Sequence, residues 1–382
     1  MPSLMNLRED LFAKDGRRVG ANVSSPRYLA ALKEAADLIS DVCKGKKPMY
    51  RLQEAMSTSD FPFLFGDILD RQLLAGYREI TPVWRAFAKV GTVRDFRTVK
   101  RKTLDGAEGQ LDSVAELGEY PATFVTDGEY SYAVGKYGKR LPFSWEALVN
   151  DDLDAFRSLP GRLARGARRT ESKFATGLYV DANGPHASLY TSGNANIVNT
   201  ANGAATNNPA LSISSLQQAL TVLSKQRDAD GEPIAIEMLR LVVPPALEVT
   251  AQNILNGMTI ELAENGGTSN QKVTAANWVR NRMTLVVDPY IPVVAGTNGN
   301  TSWFLFADPM VSRPALEIGF LAGYQEPAIF IKEPNARRVG GGAVNPLDGD
   351  FDSDSIEYKI RHVFGGARMD GRATVASNGS GS

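Results

Sequence analysis

The sequence predicts an α+β chain of two or three domains, or of one elaborated domain. At about 150 residues per domain, a length of 382 residues leaves room for two or three domains. Apolar residues recur at helical spacing in several stretches, while others are strand-sized or alternate with a period of two. The hydrophobic share of 43% is ordinary for a globular protein and argues against wholesale disorder. No repeat of 20–50 residues is visible, so a solenoid or propeller is not indicated.

Residues 1–60 read as helix and loop. Tyr28–Val42 sets Leu29, Leu32, Ala36 and Ile39 at helical spacing, and a second helix is predicted over Phe63–Tyr77. The period changes near Val90. Val93–Lys102 reads as a basic strand carrying Arg94, Arg97, Lys100, Arg101 and Lys102. An acidic stretch with Asp105, Glu108, Asp112, Glu116 and Glu119 follows. Thr123–Val125 and Glu129–Lys136 then flank Asp127-Gly128, the residue pair of a tight hairpin turn.

A long helix comes next, with Asp151, Asp152 and Asp154 at its N-terminal end, where the helix dipole favours negative charge. Pro160-Gly161 is predicted to break or kink it. Leu163, Ala167, Thr170, Phe174 and Leu178 fall on one stripe, with Arg162, Arg165, Arg169 and Lys173 opposite. Residues 183–209 are a polar loop by composition. Ser214 with Gln217 suggests a capping box before Leu216, Ala219, Leu220 and Leu223. Leu239–Val243 is a strand of the buried kind, and Pro245 opens a helix stopped by Gly257. Short strands are predicted at Met283–Val287, Trp303–Phe306, Leu316–Phe320, Ala328–Ile331 and Ile356–Phe364, ahead of a flexible tail.

The inventory for catalysis is thin. Forty-two Lys+Arg against 43 Asp+Glu leave a net charge of −1, with no global excess to grip nucleic acid. One cysteine, Cys43, rules out an internal disulfide framework and a multi-cysteine metal site. The only histidines, His186 and His362, make no metal-ligand spacing; His362 reads as a packed strand residue and His186 as a loop residue. Asp348, Asp350, Asp352, Asp354 and Glu357 imitate a calcium loop but lack the glycine at its bend, so a solvated acidic loop is the reading. No phosphate-binding loop or nucleophile elbow is present. No catalytic, cofactor or metal site is therefore assigned. No segment has the composition of a signal peptide or a membrane helix.

Four segments resemble phage Mu-like major head subunits (the gpT type) of tailed bacteriophages. They are Arg140-Leu-Pro-Phe-Ser-Trp-Glu-Ala-Leu-Val-Asn-Asp-Asp running into the long helix, and Leu241-Val-Val-Pro-Pro-Ala-Leu-Glu. The others are Trp303-Phe-Leu-Phe-Ala-Asp-Pro continuing to Phe320-Leu-Ala-Gly, and Tyr358-Lys-Ile-Arg-His-Val-Phe-Gly-Gly-Ala-Arg-Met-Asp-Gly-Arg. The resemblance, over about residues 80–376, implies the Hong Kong 97-type capsid fold. It implies an N-terminal arm at 61–90, an extended β-hairpin loop at 91–140 and a peripheral domain with a spine helix at 141–190 and 345–376. An axial domain at 191–344 and a tail at 377–382 complete that division; residues 1–60 match nothing.

The function implied is a major capsid subunit, located in the virion and assembled in the host cytoplasm. It would form pentamers and hexamers of an icosahedral head around double-stranded DNA. The partners implied are the protein itself, a scaffold, a portal, a decoration protein and packaged DNA, with no membrane. Arg162, Arg165, Arg169 and Lys173 are then candidates for a DNA-facing or intersubunit stripe. Arg94, Arg97, Lys100, Arg101, Lys102, Asp105, Glu108, Asp112, Glu116 and Glu119 are candidates for intersubunit contacts of the loop. An encapsulin-like shell and a soluble α+β enzyme or ligand-binding protein are the rival readings.

Overall fold

The computed structural model describes residues 61–105, 126–144, 153–228, 231–234, 238–263, 272–280, 282–310, 313–336, 339–340 and 349–381, with isolated residues between them. The predicted helix Tyr28–Val42, Cys43, and Glu108, Asp112, Glu116 and Glu119 lie essentially outside this set. In chain order the main elements are α1 (Phe61–Glu79), β1 (Lys89–Val93), β2 (Val99–Asp105), β3 (Thr126–Tyr132), β4 (Gly135–Ser144) and α2 (Leu153–Tyr179). After the short pair β5 (Val180–Asp181) and β6 (Gly184–Pro185) come α3 (Ile213–Ser224), β7 (Leu239–Val243), α4 (Glu248–Asn256), β8 (Thr259–Ala263) and β9 (Lys272–Ala276). The chain ends with β10 (Met283–Val287), α5 (Ile291–Val294), β11 (Trp303–Ala307), β12 (Leu316–Leu321), β13 (Ala328–Ile331), β14 (Ser355–Arg368) and β15 (Thr374–Ser377).

Two compact units result. The first comprises residues 1–81, 136–169 and 323–363; the second comprises 82–135, 170–322 and 364–382. Helix α2 and strand β14 each run from one unit into the other.

In the second unit, a four-stranded sheet has the order β10-β7-β11-β15. β7 is parallel to β10 and antiparallel to β11, which is antiparallel to β15. Trp303-Phe-Leu-Phe-Ala is buried at all five positions, the pattern of a strand covered on both faces. Leu216, Ala219 and Leu223 of α3 and Ala251, Ile254 and Leu255 of α4 share a core with Leu241, Val243, Trp303 and Leu305. Phe304 and Phe306 belong to an aromatic group in which Phe87 stacks on Phe306 at 4.7 Å and Tyr179 meets Phe304 edge-on at 4.9 Å. The other main sheet has five strands, in the order β1-β12-β14-β13 with β4 also paired to β14; β1 is parallel to β12, and β12 is antiparallel to the end of β14.

The first unit packs α1 and the start of α2 on one face of strands β4, β13 and β14. Leu73, Tyr77, Ala164, Ala167 and Ile360 form its core. Along β14, Ile356, Tyr358, Ile360 and His362 are buried while Glu357, Lys359 and Arg361 are not, the alternation of a sheet covered on one side.

Several expectations change. The helix is continuous through Pro160: the proline withholds one bond from a 27-residue ladder, and burial of Pro160 and Ala164 on the packed face offsets it. The capping box is Ser212 with Ser215, where each side chain accepts from the other's backbone N–H, so α3 starts before Ser214. Val93–Lys102 is two strands separated by the bend after Val93. Asp127-Gly128 is not a turn but lies inside β3, opposite Leu104 and Thr103. The tail is not loose as far as Gly381: its N–H donates to the Asn208 carbonyl at 2.8 Å, and Thr301 Oγ1 donates to the Asn378 carbonyl at 2.7 Å.

Candidate functional site

The hairpin of β2 and β3 is a two-stranded sheet of its own in the second unit. Its antiparallel ladder runs from Val99 opposite Tyr132 to Asp105 opposite Thr126. Residues directly opposite share a face, so Val99, Arg101, Tyr130 and Tyr132 lie on one side and Lys100, Lys102, Glu129 and Ser131 on the other. Burial divides the same way. Tyr132 is buried and its three companions are half-buried, whereas all four residues of the other side are exposed.

The inward face is fastened at its root. Glu317 of β12 is 1% exposed, accepts the Tyr132 hydroxyl at 2.6 Å and receives Arg101 Nε at 3.0 Å. Arg101 also donates to the Thr92 carbonyl at 3.1 Å. Burial and the neighbouring Glu317 push the Tyr132 hydroxyl up to about 12. Beneath this cluster, Gly91, Gly319 and Gly365 fall opposite one another on β1, β12 and β14. A Cβ on Gly319 would run into the Tyr132 ring, and one on Gly365 would meet the backbone of Ala133 and Val134. The glycine row is a bare track on which the end of β3 lies flat. Sequence reading missed it, because the three glycines are far apart in the chain and only register aligns them.

The basic limb predicted from sequence is therefore divided. Arg101 serves its own unit, Lys100 pairs with Glu129 at 2.9 Å within the hairpin, and Arg94 and Arg97 are exposed in the bend after β1. Asp105 is placed in β2 opposite Thr126. Arg162, Arg165, Arg169 and Lys173 are all exposed on α2, away from buried Ala164, Ala167, Ala175 and Leu178.

The remaining polar clusters are internal fastenings. Asp288, 3% exposed, accepts Tyr179 Oη at 2.5 Å, Thr176 Oγ1 at 2.7 Å and the Tyr290 N–H at 2.8 Å. Burial pushes its carboxyl above the usual range against the pull of these donors. His186 is more than a loop residue: Arg368 reaches its Nε2 at 2.6 Å while donating to the Leu178 carbonyl at the end of α2 at 2.7 Å. Burial and Arg368 lower the imidazole pKa. His362 is packed as predicted, edge-on to Tyr77 with Nε2 3.4 Å from the hydroxyl. Asp350 pairs with Lys332 at 2.8 Å, the lysine holding its carboxyl below the usual range. Among the described residues no group of three or more His, Cys, Asp or Glu side chains is placed to hold a metal ion. Nor is any helix among them long and apolar enough to cross a membrane.

A family model described as phage capsid protein matches residues 128–377. The chain belongs to the phage capsid protein family. It is a structural subunit of a phage head and not an enzyme, and its place is the virion capsid. The α+β class read from the sequence is the one the structure has. No curated protein matched the chain.

Solved structures similar to this capsid chain include one from Microbacterium phage Oxtober96, with 10% identity, 76% of this chain and 85% of that chain covered, and a TM-score of 0.44. One from Mycobacterium phage Adephagia has 13% identity, coverage of 78% and 90%, and a TM-score of 0.46. The cyanophage Pam1 capsid asymmetric unit has 10% identity, coverage of 78% and 90%, and a TM-score of 0.44. The family match begins inside β3, so β1, β2 and residues 1–127 lie outside it.

Proposed function

We propose that this capsid subunit closes a shell with copies of itself, as pentamers and hexamers around double-stranded DNA. The β2–β3 hairpin is the arm with which each copy holds the next. The carrying observation is the division of that hairpin into a face fixed to its own unit by Arg101 and Tyr132 and an exposed face of Lys100, Lys102, Glu129 and Ser131. A charged ribbon fixed at its root costs little entropy to place on a neighbour, and many such modest contacts add up in a closed lattice.

Arg162, Arg165, Arg169 and Lys173 supply sequence-independent phosphate contacts on the inner face. Scaffold, portal and decoration proteins are the further partners of this reading. The Mu-like subtype and the division into arm, extended loop, peripheral domain and axial domain belong to it as well. Replacing Leu104–Leu117 by a short Gly-Ser bridge tests the arm. The expected result is a cooperatively melting subunit that forms no stable shells in electron micrographs. Normal shells from that deletion contradict the reading.

A further inference from the structure

Helix α2 has no basic residue of its own in its last turn. Its cation comes from the far end of the chain. Arg368, the last residue of β14, donates from Nε to the Leu178 carbonyl at 2.7 Å and from Nη2 to the Gly177 carbonyl at 3.5 Å. A helix end leaves such carbonyls without a partner, and a cation there also suits the dipole. The same Nη2 reaches His186 Nε2 at 2.6 Å. His186 returns to the helix through its backbone N–H, which donates to the Tyr179 carbonyl at 2.9 Å. One guanidinium thus holds together the end of α2, the segment after β6 and the end of β14, all within the second unit.

The imidazole meets a donor at each nitrogen: Arg368 at Nε2, and the Ser188 N–H at Nδ1, 3.1 Å away. A neutral ring has one lone pair to offer, and an imidazolium has none. The guanidinium can only donate and keeps its charge, so it claims Nε2 and leaves the proton of the neutral ring on Nδ1. A second proton would set two positive charges and two N–H groups against each other. Among the described residues, Asp181 of β5 is the other charged group acting on the ring, and it favours the cation. Both its oxygens, however, are taken by the N–H groups of Asn183 at 2.8 Å and Ala187 at 3.0 Å. The α2 carbonyls also favour a cation, and Arg368 already holds them.

We propose that His186 and Arg368 form an acid-sensitive catch on the end of α2, closed while the ring is neutral and released when it takes a proton. The catch lies within one subunit and stands independently of the arm reading. Burial and Arg368 lower the pKa of the folded ring. The catch's contribution to stability is therefore complete above the ordinary 6.5 and is lost as pH falls through the folded value.

Nuclear magnetic resonance of the full-length chain, isotope-labelled at histidine, reads the catch directly. The chain has only two histidines, and His186→Gln identifies which signal belongs to His186. His186 is expected to titrate below 6.5 in the folded parent and higher in Arg368→Gln, where Asp181 and the helix end act unopposed. Hydrogen exchange supplies the structural readout. Between pH 7 and pH 5, the amides of residues 177–190 in the parent are expected to lose about tenfold in protection relative to His186→Gln at the same pH, the worth of one hydrogen bond to a charged group. Glutamine can accept from Arg368 and does not titrate, so it keeps the catch closed. Asp288 is present in both chains, so its own titration cancels. Titration of His186 at 6.5 or above overturns the proposal, as does a value that Arg368→Gln leaves unchanged. So does equal loss of protection in the parent and His186→Gln, which assigns the acid response to another group. If Arg368→Gln fails to fold, the parent titration and the glutamine comparison still decide.

Discussion

The two units carry sheets of opposite character. In the second unit, β11 is buried at every position and β7 at four of five, so that sheet is finished within the subunit. In the first unit, β14 buries Ile356, Tyr358, Ile360 and His362, while Glu357, Lys359 and Arg361 between them are less covered among the described residues. Burial on both faces makes a sheet self-sufficient, whereas a half-covered one is stable alone and still has a surface to give. A shell subunit needs both: a core that holds its shape through assembly, and faces whose contacts are completed only by another copy. The hairpin repeats the contrast within a single ribbon, with Arg101 and Tyr132 committed inward and Lys100 and Lys102 outward.

The sharpest way to break this comparison is to damage the closed sheet. Phe304→Ala removes a ring that is 0% exposed and in contact with Tyr179 and Tyr190. Such truncations cost about 3–5 kcal/mol, and chemical denaturation should show that loss in the transition of the second unit. A loss near zero would mean that this sheet is not the core it is taken to be.

Next comes the track under the hairpin. Gly319→Ala sets a methyl group against the Tyr132 ring and is expected to destabilise by about 2 kcal/mol, the usual cost of overpacking. The two faces of β2 should then separate cleanly. Arg101→Ala strands the nearly buried Glu317 without its cation and should cost about 2 kcal/mol. Lys100→Ala, one residue away, loses an exposed pair with Glu129 and should cost less than about 0.5 kcal/mol. Equal effects at the two positions would erase the division of faces on which the arm reading depends.

The smallest effect is one of pH. The Asp288 carboxyl is raised by burial above its ordinary 3.8, so the fold favours its protonated form. Its share of stability is complete below 3.8 and is lost as pH rises through the folded value. Asp288→Asn should flatten that slope in melting curves recorded upward from pH 4. An unchanged slope would show that another group carries it.

Much of this architecture is legible in the sequence, and the exceptions have physical reasons. Leu239–Val243, Met283–Val287, Trp303–Ala307 and Ala328–Ile331 are local apolar runs that fold as such. His362 reads as a packed strand residue, and it is buried in β14 together with Tyr358 and Ile360. Asp127-Gly128 misleads because a turn signal is local, whereas the ladder with β2 closes across residues 106–125 and satisfies both backbones. His186 and Arg368 meet across 182 positions, and the glycine row exists only in register, so neither has a signature along the chain. The polar tail reads as loose, yet the Asn208 carbonyl accepts from the Gly381 N–H and the Thr301 hydroxyl donates to the Asn378 carbonyl, bonds that composition does not reveal.

The claim at the centre is that the outer face of the β2–β3 hairpin is completed by another copy. Lysine labelling followed by mass spectrometry, on free subunits and on assembled shells of the same preparation, tests it most directly. Lys100 and Lys102 are exposed in the subunit and should label readily there, then become protected on assembly. Lys225, exposed beside α3, serves as the internal reference in both states. Equal labelling of Lys100 and Lys102 in subunit and shell would contradict the account.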